Sequence, residues 1–150
     1  MVTDVQYTIR LEEGLWGGLL LAVTIAVHAV GMLTTLRVTK ALRHRWDPSP
    51  HFARGLTILI IAAWLIALVH LTEVAVWARF ILWVHAFPNI SLAFYFTLLQ
   101  YTTVGSSYNL PLQWRLLEGM IPMAGLMTFA WSTGVLFALG QQFQDQHLKR

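Results

Sequence analysis

Tyr95-Phe-Thr-Leu-Leu-Gln-Tyr-Thr-Thr-Val-Gly-Ser-Ser-Tyr108 is the stretch on which the fold turns. It starts in apolar and aromatic residues and changes at Thr102 to small polar residues around one glycine. Upstream, Phe87-Pro88-Asn89 interrupts the chain, because proline lacks an amide donor and restricts the residue before it. Asn89 or Ser91 then caps a new helix. The 11 residues from Ser91 to Tyr101 make about 16 Å of helix, half of a bilayer core roughly 30 Å thick. Gly105-Ser-Ser-Tyr-Asn-Leu-Pro111 follows with turn-forming composition. The segment reads as half a span with a non-helical return. Such backbone is tolerated at membrane depth only where protein or a water-filled cavity surrounds it. A chain of 150 residues cannot supply that surround alone, so assembly with further copies is expected.

The flanks are apolar. Only 11% of residues are charged, against about 25% in an ordinary soluble domain. Gly14 to Leu36, Gly55 to Thr72, Phe80 to Trp114 and Gly119 to Gln144 carry no charge at all. About 20 apolar residues suffice for one crossing, so at least three spans are expected in an integral membrane protein. The first is expected to be a retained helix rather than a cleaved leader. Asp4, Glu12 and Glu13 precede it, and it exceeds the usual 7–15 residue leader core. Cysteine is absent, which excludes disulfides and thiolate chemistry. The pI near 9.7 reflects cations beside the spans, so no nucleic-acid partner is expected.

Charge also sets the topology. Arg37, Lys40, Arg43, Arg45 and Arg54 oppose a single Asp47 between the first and second spans, which marks that loop as cytoplasmic. The N-terminus then lies outside, and Lys149-Arg150 ends inside, in the cell's inner (cytoplasmic) membrane. This agrees with three crossings plus one segment that enters and leaves on the same side. The expected fold is all-α. Residues 1–54 hold an extracytoplasmic segment, an extra transmembrane helix and the basic loop. Residues 55–144 form a pore domain: an outer helix, a re-entrant pore helix at 90–101, a filter-like loop at 102–110 and an inner helix at 118–142. Residues 145–150 are a cytoplasmic tail.

Cation filters replace an ion's hydration shell with rings of backbone carbonyls. The C-terminal end of a short helix aimed at the cavity adds favourable negative potential. Glycine serves where positive φ must turn carbonyls to the axis. On Thr102-Thr103-Val104-Gly105 and the short helix before it, the chain resembles the two-transmembrane ion-channel domain of the pore-loop potassium-channel superfamily, from about Ala62 to Gln142. It is similar to small proteobacterial membrane proteins that add one N-terminal span, also through His70-Leu-Thr-Glu73-Val-Ala-Val-Trp77 and Trp114-Arg-Leu-Leu-Glu118-Gly119. The resemblance implies a homotetramer in the lipid bilayer. Thr102, Thr103, Val104, Gly105 and Ser106 would form the ion filter, with potassium or sodium as the permeant ion and no cofactor. Ser106, Ser107 and Tyr108 stand where the family has Tyr, Gly and Asp. Left-handed geometry at a non-glycine residue costs roughly 1–2 kcal/mol, so the outer filter is expected to take another shape and to select weakly. The alternative is a non-conducting relative that acts as a scaffold or subunit of a larger membrane complex.

Other residues have readings of their own. Glu73, Arg115 and Glu118 are expected to brace the pore loop. Ala124, Thr128 and Ser132 recur at i, i+4 and i+8; Thr128 and Ser132 are taken to line the cavity of the inner helix, with a packing face as the alternative. Trp77, Trp83, Trp114 and Trp131 suggest interface anchors, or simply packing between helices. His28 and His70 raise the question of a haem with two axial histidines. Measured from Gly14 and Gly55, they lie roughly 13 Å apart in depth, too far to share an iron. His70 and Glu73 share a helix face at i,i+3, but two ligands leave a metal site incomplete, and none is expected. No catalytic constellation is present, and no enzymatic activity is expected.

Overall fold

A computed structural model describes residues 7–46 and 52–147, the side chains of 146 and 147 excepted. The loop residue Asp47 and the tail residues Lys149 and Arg150 lie outside them. The chain is all-helical, with no strand among the described residues. Helix α1 is Leu11–Arg45, α2 is Phe52–Trp83, α3 is Ile90–Tyr101 and α4 is Leu117–His147, with one 3₁₀ turn at Leu112–Trp114. Three helices are long and apolar enough to cross a membrane; α3, at 12 residues, is not. α4 extends five residues past the expected inner-helix end at 142, into the segment read as tail.

The ends of these helices follow from local chemistry. α1 opens with Glu12 and Glu13 and closes with Arg43, His44 and Arg45, the charge order that complements a helix dipole. α2 ends in a Schellman motif: Ala86 N donates to Ile81 O and His85 N to Leu82 O, with His85 left-handed at φ 55°. Asn89 begins α3, its side chain accepting from Leu92 N at 2.9 Å. Pro122 is the sixth residue of α4, just past the first turn where a missing donor costs least.

The described residues fall into two compact units. One joins Thr24 and the described residues before it to Val74–Leu126; the other joins Ile25–Glu73 to Met127 and the residues after it.

In the first unit, Trp16 packs against Phe80 and Trp83 with ring centroids 5.3 Å from each. Trp77, for which both interface anchoring and packing between helices were open, is fully buried and donates its indole N–H to Thr24 Oγ1 at 2.9 Å. An indole is retained there because its donor finds a partner inside the protein. Trp83 is exposed, as an interfacial residue would be. Glu13 is fully buried and accepts from Leu116 N at 3.0 Å, Arg10 N at 3.1 Å and the Tyr7 hydroxyl at 3.2 Å. Gly125 lets α4 touch the end of α3: a Cβ there would stand 2.1 Å from the Tyr101 carbonyl oxygen.

In the second unit, α1 and α2 run antiparallel, since His28 meets Glu73 while Gly31 meets Val69. A Cβ at Gly31 would lie 2.4 Å from a Val69 methyl, so glycine is what allows this approach. The face α1 buries here is largely polar, with His28, Thr35 and Thr39 beside Met32. Val30, Leu33 and Leu36 face outward. A helix in lipid has no need to hide apolar side chains and every need to hide polar ones. Near the ends of α1 and α4, Arg43 donates to Gln142 Oε1 at 3.0 Å.

Candidate functional site

The first unit holds the loop on which the sequence reading rests. α3 closes in a second Schellman motif: Val104 N donates to Leu99 O at 3.0 Å and Thr103 N to Gln100 O at 2.9 Å. Thr102 N donates to Leu98 O and Gly105 N to Leu99 O. Four consecutive amides are therefore tied back to the end of α3. Among the described residues, no hydrogen bond ends on the carbonyls of Thr102, Thr103, Val104 or Gly105. All four residues are exposed on the chain, Val104 at 73%.

Two residues of this segment take left-handed backbone, Thr103 at φ 62° and Gly105 at φ 81°. Glycine adopts that region freely; a β-branched threonine does so at a cost of roughly 1–2 kcal/mol. The strain persists because the Schellman bonds on either side of Thr103 over-determine its position. Thr102 Oγ1 turns back to Leu98 O at 2.8 Å.

Beyond Gly105 the loop changes character. Ser106 Oγ accepts from Tyr108 N at 3.1 Å, a serine turn, and neither Ser106 nor Ser107 takes positive φ. The Tyr108 ring stands edge-on to Phe87, which packs on Phe96 of α3. Leu110 is buried, and its amide donates to Glu118 Oε1. Arg115 Nε lies 4.0 Å from the same carboxylate oxygen. Glu118 thus holds the end of the loop, with Arg115 at its side.

Glu73, the third residue expected to brace the loop, is held elsewhere. In the second unit it is fully buried, with Oε1 2.8 Å from His28 Nδ1 and Oε2 3.4 Å from His70 Nδ1. On the far side of the two rings, Ser132 Oγ lies 3.0 Å from His70 Nε2 and 3.4 Å from His28 Nε2. Three helices close a ring of four polar side chains. Trp131 lies against His28 at 5.3 Å and Phe129 against His70 at 4.6 Å between ring centroids.

This ring corrects three expectations. His28 and His70 are not separated in depth: their ring centroids are 5.4 Å apart. Seventeen residues separate His28 from Arg45 at the end of α1, and eighteen separate His70 from Phe52 at the start of α2. Those are about 26 and 27 Å of helix, so antiparallel neighbours bring the two side chains level. The sequence estimate measured from the edges of the charge-free runs, which do not mark the same height on both helices. Second, Thr128 and Ser132 are 2% and 4% exposed, so the chain itself covers the side chains expected to line a cavity. The packing alternative describes this stripe better, and Ser132 faces the histidines. Third, the metal-ligand count rises from two to three: donor atoms of His28, His70 and Glu73 all lie within 4.8 Å of one another.

Glu13 and Thr97 were missed altogether. Glu13 read as part of a polar leading segment, and nothing local marks its bond to Leu116, about a hundred residues away. Thr97 sits mid-α3, fully buried, its hydroxyl without a hydrogen-bond partner. Comparison with known proteins finds no matching family model, no matching curated protein and no matching solved structure.

Proposed function

We propose that the chain is one subunit of a potassium-channel-like, homotetrameric cation channel of the cytoplasmic membrane, passing potassium and sodium with weak selectivity. In this reading α3 is a re-entrant pore helix, α2 and α4 are the outer and inner helices, and Thr102 to Ser106 face the axis. The observation that carries it is the division of labour in the 102–105 backbone. The amides are consumed by the end of α3, while the carbonyls take no hydrogen bond among the described residues and lie on exposed backbone. A carbonyl without an amide partner is costly inside a membrane, unless a cation takes that partner's place. Four copies would arrange those carbonyls in rings. The serine turn at Ser106 supports a short filter that closes at that residue, and hence weak discrimination between alkali cations.

The same turn is the observation that favours the second reading, a non-conducting scaffold or subunit of a larger membrane complex. Liposome flux with the variant Val104→Pro separates the two. Proline removes the Val104 amide that caps α3 and shifts the preceding Thr103. Cation flux in the wild type, abolished in the variant, is expected. Equal flux in both would dismiss the filter assignment, and no flux from a verified wild-type tetramer would favour the scaffold.

A further inference from the structure

We propose that His28, His70 and Glu73 bind a divalent transition-metal ion of the zinc class inside the second unit, a site that stands independently of the filter reading. One donor atom from each of the three residues lies within 4.8 Å of the others. Each oxygen of one carboxylate faces one imidazole Nδ1, at 2.8 and 3.4 Å. Donors about 2.0–2.2 Å from a tetrahedral zinc ion stand roughly 3.3–3.5 Å from each other; the 3.4 Å contact has that spacing, and the whole set lies within 4.8 Å, so small side-chain rotations bring it to an ion. Three residues supply one donor each, which leaves the fourth position of a tetrahedral ion open to water. Nitrogen donors select zinc-class ions over calcium or magnesium, which prefer all-oxygen sites.

The hydrogen bonds of the ring are compatible with an ion. With both imidazoles neutral and each Nδ1–H donating to Glu73, both Nε2 lone pairs face Ser132, which has a single proton to give. Either an ion at the Nδ1 atoms or a proton on one imidazole relieves that conflict, and metal titration tells the two apart. Metal binding at Nδ1 moves each imidazole proton to Nε2, and no proton is gained or lost by the neutral pair. Both Nε2–H groups then donate to Ser132 Oγ, whose two lone pairs accept them. Metal-bound histidines characteristically anchor their other nitrogen this way. The site is also fixed by packing, with Gly31 allowing α1 to approach α2 one turn along from His28.

The test is metal titration of the purified full-length protein in detergent, after chelator treatment. Cobalt(II) serves as the spectroscopic probe and zinc as the competitor; with no cysteine, every ligand-field band comes from nitrogen and oxygen donors. Expected are one cobalt per chain, displacement by zinc, and X-ray absorption of the zinc form showing imidazole neighbours. His28→Ala and Glu73→Gln should each weaken affinity by more than about 100-fold, and Ser132→Ala by about 10- to 100-fold, the usual range for a residue that orients ligands. His44→Ala, on an exposed residue near the end of α1, should change nothing. Absence of a saturable site in the wild type would overturn the proposal. So would retained affinity in both ligand variants, or histidines that titrate with pH and ignore zinc, the mark of a ring that holds only a proton. Should the variants fail to fold, the wild-type stoichiometry and zinc neighbours decide.

Discussion

Thr103 concentrates the strain of the loop in one residue. Its left-handed backbone costs roughly 1–2 kcal/mol, and glycine would remove that while adding up to about 1 kcal/mol of unfolded-state entropy. Thr103→Gly is therefore expected to stabilise the protein by roughly 0.5–1 kcal/mol, read as a higher melting temperature in detergent. If the strain serves ion passage, flux should fall in the same variant; a melting temperature below wild type would remove the strain from the account. Thr97 offers the opposite case, a buried hydroxyl with no partner. An orphaned group costs about 1–3 kcal/mol, so the near-isosteric Thr97→Val is expected to be neutral or stabilising by about 1 kcal/mol. Residue roles were the part of the site least legible in the sequence. Glu118 and Arg115 were placed at the loop because they sit a few residues after it. Glu73 was assigned there because an ionisable residue in the outer half of the second span must face protein or water, whereas its partner His28 is 45 positions away. Nothing in a sequence states which side chains two helices bring level.

At the scale of elements, α3 was the most legible part of the molecule. Pro88 and Asn89 mark its start and the change of composition at Thr102 marks its end; the helix runs from Ile90 to Tyr101, the limits read from the sequence. Loss of the Asn89 cap in Asn89→Ala is expected to cost about 1 kcal/mol. The glycine contacts between helices were not legible, because a glycine in a membrane helix looks the same whether it packs or not. They separate into two kinds. A Cβ at Gly17 would meet the end of the Met120 side chain, which can swing away, but at Gly125 it would meet the Tyr101 carbonyl, which cannot. Gly125→Ala is accordingly expected to destabilise by about 1–3 kcal/mol and to disturb the loop that follows Tyr101, while Gly17→Ala changes stability by less than about 1 kcal/mol. Thermal unfolding of the two variants side by side checks the contrast, and equal costs would contradict it.

For the whole molecule, composition and charge spacing were enough to foresee an all-helical chain with three helices fit to cross a membrane. They were enough because a bilayer punishes every misplaced charge. Assembly is a proposal that follows from exposed loop backbone on each subunit. Its most direct test is flux into liposomes holding the purified wild-type protein, with potassium, sodium and a larger organic cation compared in parallel. Entry of potassium and sodium with exclusion of the organic cation is the expected result. No entry of any ion through a verified tetramer would contradict a conducting filter at Thr102 to Ser106.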